Sequence, residues 1–301
     1  MNWNLPQSIV ATLAYGELFD YPLTSEELYR WLIADSSYSY TEVHRILVQH
    51  QQYKEFFALS NIKKKFVMRQ ERKKASEEKW KLVKSLPGYF ALIPTLELVG
   101  VSGGLSMNNA DSADDIDFFF IVTPGTIWIS RLLVVLLLHV LGKRRTFGDS
   151  NEKNKWCTNM FMTSNILALP QQERDVYTAH EFLQLVPVFE RNGMYQQFLY
   201  ANEWVKKILP NAWNEKKETA SIDKKKWSSN VIFRTFRFFL LSLNSTAKYL
   251  ELWYMKSHRT TEVISDTVLR FHPQDIRLFI KKRYSALLQK YKIPLDSRFL
   301  L

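Results

Sequence analysis

Ten consecutive residues, Asp114 to Thr123, leave the middle of this chain little conformational choice. They read DDIDFFFIVT and stop at Pro124-Gly125. An aromatic and β-branched run bounded by Pro-Gly predicts a strand over Ile116 to Thr123. Strand side chains alternate faces with period two, so Asp115 and Asp117 point the same way, roughly 6.6 Å apart along the strand. Burial of Phe118 to Val122 would hold those carboxylates rigidly. Oxygen ligands so placed select Mg²⁺ or Mn²⁺ over thiophilic metals. Two such ions, roughly 3.5–4 Å apart, are what two-metal phosphoryl chemistry uses.

The 301 residues suggest two or three domains, and a 46% hydrophobic content supplies packed cores. Cys157 is the single cysteine, so no internal disulfide forms, which fits a reducing, cytoplasmic setting. The start, MNWNLPQSIV, has no basic segment followed by an apolar one, and no secretory signal is expected. The longest apolar stretch, Ile127 to Leu141, contains Ser130, Arg131 and His139. It falls short of the roughly 20 residues of a membrane span and reads as a buried helix. No integral membrane span is expected.

Three helices, around Pro6–Phe19, after Thr24-Ser25, and after Tyr40-Thr41, precede two strand-like runs, Tyr53–Leu59 and Lys65–Met68. That is winged-helix order. A basic helix, about Arg69 to Leu86, is polar nearly all round and reads as a connector ended by Pro87-Gly88. Leu96–Val101, Ile116–Thr123 and Trp156–Met162 read as strands, with a short helix over Leu105–Ala110 and the apolar helix between them. From Glu173 onward the signal is helical, including Trp204–Leu209, Val231–Met255 and Asp275–Tyr291, with Ser221–Trp227 as a charged loop. The expected architecture is α+β: a winged-helix unit over 1–70, a connector over 71–88, a mixed sheet with helices over 89–170, and a basic helical region over 171–301. From Val205 onward there are 20 Lys and Arg against 8 Asp and Glu, so the last third carries the whole excess of the chain's +11. Such a surface favours polyanions such as nucleic acid, or else simply solubilises the chain.

Ser102-Gly103-Gly104 lies between a strand and a short helix. Glycines admit a close backbone approach, and free amides at a helix start favour phosphate. The combination of a Gly-Gly turn, about eleven further residues and an Asp-x-Asp heading an apolar strand is more telling than either part. In this pattern the stretch Gly103 to Val122 resembles the signature of the DNA polymerase β-like nucleotidyltransferase superfamily. Gly103 falls on its glycine and Asp114-Asp115-Ile116-Asp117 on its acidic run. The wider chain resembles uncharacterised prokaryotic nucleotidyltransferase-domain proteins at Ser106–Ala110, Cys157–Phe161, Tyr177–Glu181, Leu252–Met255 and Phe271–Pro273. The resemblance implies a nucleotidyltransferase-type sheet over 89–170, with Asp115 and Asp117 as metal ligands, Mg²⁺ or Mn²⁺ as cofactor and an NTP as substrate. The nucleotide-binding residues expected are Ser102, Gly103 and Gly104 of the turn, Ser106 after it, and Lys143.

Two positions depart from the superfamily pattern. Its serine falls on Gly104, so Ser102, Ser106 or backbone amides would have to contact the phosphate. Its third carboxylate falls on Asn159, which can ligate a metal through oxygen but brings no charge; Asp149 is the nearest replacement. His180-Glu181 reads either as a base with its partner or as packing. Cys157 and His139 read as core residues, and Trp253, Tyr254 and Phe271 as core packing or base-stacking groups. Lys143-Arg144-Arg145 would grip a triphosphate or close a helix C-terminus. Two functions are therefore expected. One is a metal-dependent transferase moving NMP from an NTP to a nucleic acid or protein hydroxyl. The other is a winged-helix regulator or scaffold that binds nucleotide without turnover.

Overall fold

The computed structural model describes residues 3–144, 153–219, 231–256, 263–271 and 276–295. The chain begins with α1 (Leu5–Glu17), β1 (Leu23–Thr24), α2 (Ser25–Arg30), α3 (Tyr40–Leu47), β2 (Gln52–Tyr53) and β3 (Phe56–Phe57). The three short strands pair antiparallel in the order β1-β3-β2, completing a winged-helix arrangement. Each of its helices starts with a capping box: Asn4 with Gln7, Thr24 with Glu27, Ser39 with Glu42. In such a box two orphan amides are satisfied reciprocally. The wing differs from expectation. Tyr53–Leu59 is not one strand but folds back at Lys54, whose φ is 54°. Lys65–Met68 is helical, inside the 22-residue α4 (Ile62–Val83). Ile62 and Phe66, one helical turn apart, pack with Tyr53, Phe56 and Ala58 of the hairpin, which draws the start of this helix back across the expected boundary at residue 70.

Beyond α5 (Pro87–Phe90) come β4 (Leu96–Val101), α6 (Gly103–Ser106), β5 (Ile116–Val122), α7 (Ile127–Val140) and β6 (Trp156–Thr163). The strands and α7 fall within a residue or so of expectation; α6 begins two residues early and is over by Ser106. The rest of the chain is not all helical. It runs α8 (Val176–Gln184), β7 (Val186–Glu190), α9 (Met194–Ala201), α10 (Pro210–Thr219), α11 (Val231–Met255), β8 (Val263–Ile264), β9 (Val268–Arg270) and α12 (Ile276–Lys290). Glu203–Lys207 forms a 3₁₀ turn in place of the expected helix. The charged loop Ser221–Trp227 lies outside the described residues. Strands β7, β8 and β9 join the central sheet, whose order is β7-β4-β5-β6-β9-β8. The sheet is therefore not confined to 89–170. Among the described strands, only β5 and β6 run parallel.

Period two then sorts the sheet's two faces. Phe118, Phe120 and Val122 pack with Phe161 against α7 and α11. Phe119 and Ile121 pack with Leu98 and Met162 against α1, α8, α9 and α12. Full burial of such a side chain is worth roughly 1.5–3 kcal/mol. Helix α11 also caps α7: Asn244 Oδ1 accepts from the amides of Trp128 at 3.0 Å and Ile129 at 3.1 Å. On the other face, α12 ties down α1. The Tyr284 hydroxyl donates to the Ala11 carbonyl at 3.1 Å, and the Trp3 indole donates to Pro294 at 2.9 Å. Lys281 pairs with buried Asp175 at 3.0 Å. Among the described residues, no helix is long and apolar enough to cross a membrane.

Candidate functional site

Asp117 shares the parity of Phe119 and Ile121, so it stands on the α1–α8 face, at the head of β5 where the apolar run begins. Cys157 on β6 is its register partner. One oxygen from each of Asp115 and Asp117 and the Cys157 sulfur all lie within 4.8 Å of one another. All three residues are half-buried. The next described pair in the ladder is Phe119 with Met160, so β6 carries one residue more than β5 across this step. That bulge follows the Asp117–Cys157 pair, so the ladder up to it is regular and sets Cys157 opposite Asp117. The half-buried thiol beside two carboxylates replaces the core role expected of it. The side chain of Asn159 lies outside the described residues, as does Asp149.

The turn is fitted to these carboxylates. Gly103 has φ +65°, and a Cβ on it would sit 2.8 Å from Asp117 Oδ2. The Ser102 amide donates to the Asp117 carbonyl at 3.0 Å, locking the turn to β5. The Ser106 hydroxyl donates to the Gly103 carbonyl at 2.7 Å. It lines a separate cleft with Arg69 and Lys73, and not the cavity that Ser102, Gly103 and Gly104 share. Within the acidic run the roles separate. Asp114 is exposed and accepts from the Asp111 amide at 2.7 Å, closing the loop that delivers Asp115.

Helix α4 holds that loop, a role its polar sequence did not reveal. Lys79 is only 1% exposed. Its ammonium donates to the Asp114 carbonyl at 2.6 Å and to Asn154 Oδ1 at 3.0 Å. Burial pushes it below the ordinary lysine value, while the carboxylates of Asp114 and Asp115 hold it up. One turn earlier, the Ser76 hydroxyl accepts from the Ala110 amide at 3.1 Å, and it is fully buried. A helix-period stripe of Ser76, Lys79 and Val83 is legible once the burial is known, but two of its three residues are polar.

Ser102, Gly103, Gly104 and Asp117 line one cavity of about 710 Å³. Its other walls are Tyr15 of α1, Phe19 just beyond it, Trp31, and Tyr177, His180, Glu181 and Gln184 of α8. Imidazole and phenol rings of His180 and Tyr15 stack with centroids 3.9 Å apart. The His180 Nδ1 lies 2.8 Å from the Val176 carbonyl, which requires the proton on Nδ1. Burial lowers its pKa to about 4, so it is a neutral wall at pH 7. Burial raises the neighbouring Glu181 carboxyl to about 7. Lys143 does not line this cavity; its carbonyl accepts from the Trp156 amide at 2.7 Å, fixing the head of β6. Arg145 lies outside the described residues. His139 is exposed, contrary to the core position expected of it, and Trp253 and Tyr254 are exposed too, which removes the core-packing alternative for them. Phe271 carries the Arg131 guanidinium on its ring at 4.2 Å.

No protein-family model, curated protein or solved structure matches this chain.

Proposed function

We propose that the chain transfers a nucleoside monophosphate from an NTP to an acceptor. The observation that carries this is the joining of Asp117 and the Ser102–Gly104 turn in one cavity, with Asp115 within ligand reach of Asp117. The two carboxylates offer hard oxygen donors that suit Mg²⁺ or Mn²⁺, whereas the Cys157 thiol is soft and does not suit them. Asp115 and Asp117 would hold the ion, which when bound supplies positive charge to the triphosphate. The amides of Gly103 and Gly104, first in their helix, have no intrahelical acceptor and are available to phosphate oxygens. A Cβ on Gly103 would press against Asp117, so the glycine keeps that backbone and carboxylate close enough to share one ligand.

The test is incubation with each α-labelled NTP, Mg²⁺ or Mn²⁺, and cell extract. Labelling that Asp115→Ala and Asp117→Ala abolish supports transfer. A second reading, nucleotide binding without turnover, is favoured by one observation: the described β6 residue facing Asp117 is a thiol and not a carboxylate. NTP binding by calorimetry with no labelling of any acceptor would select it.

A further inference from the structure

Resting on the transferase reading, we infer that the cavity facing Asp117 is the acceptor site, that it takes a small ring-bearing alcohol, and that Glu181 takes the proton from its hydroxyl. A volume of about 710 Å³ is that of a small-molecule site. Its walls come from helices that the fold holds in place. Helix α1, one wall, is held by the Tyr284 and Trp3 hydrogen bonds to the C-terminal segment. Helix α8, another, packs against the turn helix α6 and is pinned by the ion pair of Lys281 with Asp175. Tyr15, Phe19, Trp31 and Tyr177 present ring faces and edges, which favour a flat ring. Among these rings Glu181 is the carboxyl group on the wall that faces the turn.

Charge around Glu181 does not compensate it. On its own helix His180 is neutral and Asp175 is committed to Lys281. From α1 comes the Tyr15 phenol, whose ionisation Glu181 itself opposes. On α12, Arg277 pairs with Glu173. On α10, Lys216 lies 3.4 Å from the Leu185 carbonyl. A carboxyl in this setting titrates near neutrality, as a general base working near pH 7 should. In the step, the acceptor O–H gives its proton to Glu181 and its oxygen bonds to the α-phosphorus. The bond from that phosphorus to the α–β bridging oxygen breaks, and pyrophosphate leaves with the electron pair.

The experiment uses the full chain, α-labelled NTP and Mg²⁺, with a cell extract split into a small-molecule filtrate and a macromolecular retentate. Label is expected in the filtrate. Its rate should rise about tenfold from pH 6 to pH 8 and lose that rise in Glu181→Gln, with Glu181→Asp retaining part of it. NTP binding by Glu181→Gln should stay intact, which separates a lost base from a lost fold. Label in the retentate overturns the acceptor class. An unchanged rate and pH rise in Glu181→Gln, with Asp117→Ala inactive, overturns the role of Glu181 and leaves the transferase reading standing. NTP bound but no label in either fraction overturns both; NTP not bound at all sinks the nucleotide reading first.

Discussion

Gly103 carries a hydrogen where any other residue would put a carbon 2.8 Å from Asp117 Oδ2, and its φ of +65° is one that L side chains rarely adopt. Both penalties fall on Gly103→Ala. The left-handed conformation alone costs about 1–2 kcal/mol, and the displaced carboxylate should weaken Mn²⁺ binding. Gly104→Ala is the control: its Cβ would meet the Asn109 carbonyl at 3.3 Å, tight but adjustable, with an ordinary φ. Thermal melts and Mn²⁺ calorimetry should therefore separate the two variants; equal losses would deny Gly103 its special place. Glu181 supports a second prediction that needs no substrate. Its carboxyl is raised to about 7 from 4.5, so it disfavours the folded state once ionised. The penalty is absent below pH 4.5, grows as pH rises through the window, and is complete above pH 7. Glu181→Gln should thus stabilise the fold by about 1–3 kcal/mol at pH 8 and by little near pH 4.5. Melting curves at the two pH values check it, and a pH-independent difference would refute it.

The elements most legible in the sequence are those whose composition alone dictates burial. Strand β5 is apolar on both faces because helices cover both, and α7 is a long apolar run whose Ile127, Trp128, Val134 and Leu138 are buried. Strand β7 was missed because Pro187 interrupts its run, and proline is tolerated there only because β7 is a sheet edge. Cys157 reads as a core residue because its strand reads as buried; its place beside the two carboxylates shows only in the strand pairing, which sets it against Asp117. That placement makes Cys157→Asp informative. It would set a third carboxylate opposite Asp117 and within ligand reach of Asp115. Metal affinity follows the charge count of the ligands, so Mn²⁺ should bind on the order of tenfold tighter. Without metal the variant should melt lower, since three like charges then face each other. Unchanged affinity in calorimetry would mean that the thiol position is not part of the metal site.

Across the whole molecule, the site is made by parts far apart in sequence. Asp117 and the turn come from the centre, the aromatic wall from the N-terminal helices, and Glu181 from the region read as a separate basic domain. The basic excess of that region is also partly consumed inside the molecule: Arg270 and Arg277 pair with Glu173, Lys281 with Asp175, and Lys248 with Asp266. Charge counting reads those residues as surface for a polyanion, whereas three of the four fasten β9 and α12 to the start of α8 and the turn before it. The signature-bearing segment is accordingly not self-sufficient. Cut to residues 89–170, it keeps β4, β5 and β6 but loses β7 beside β4 and β9 beside β6, leaving both edges open. It also loses α1, α8, α9 and α12 over Leu98, Phe119 and Ile121, and α11 over the opposite face. Two exposed apolar faces and unpaired strand edges favour aggregation over folding. The fragment should show no cooperative melt and should bind a hydrophobic dye, whereas the full chain should unfold cooperatively. A fragment with dispersed amide resonances and a sharp transition would instead establish the central sheet as an independent unit, with the walls of the cavity as additions to it.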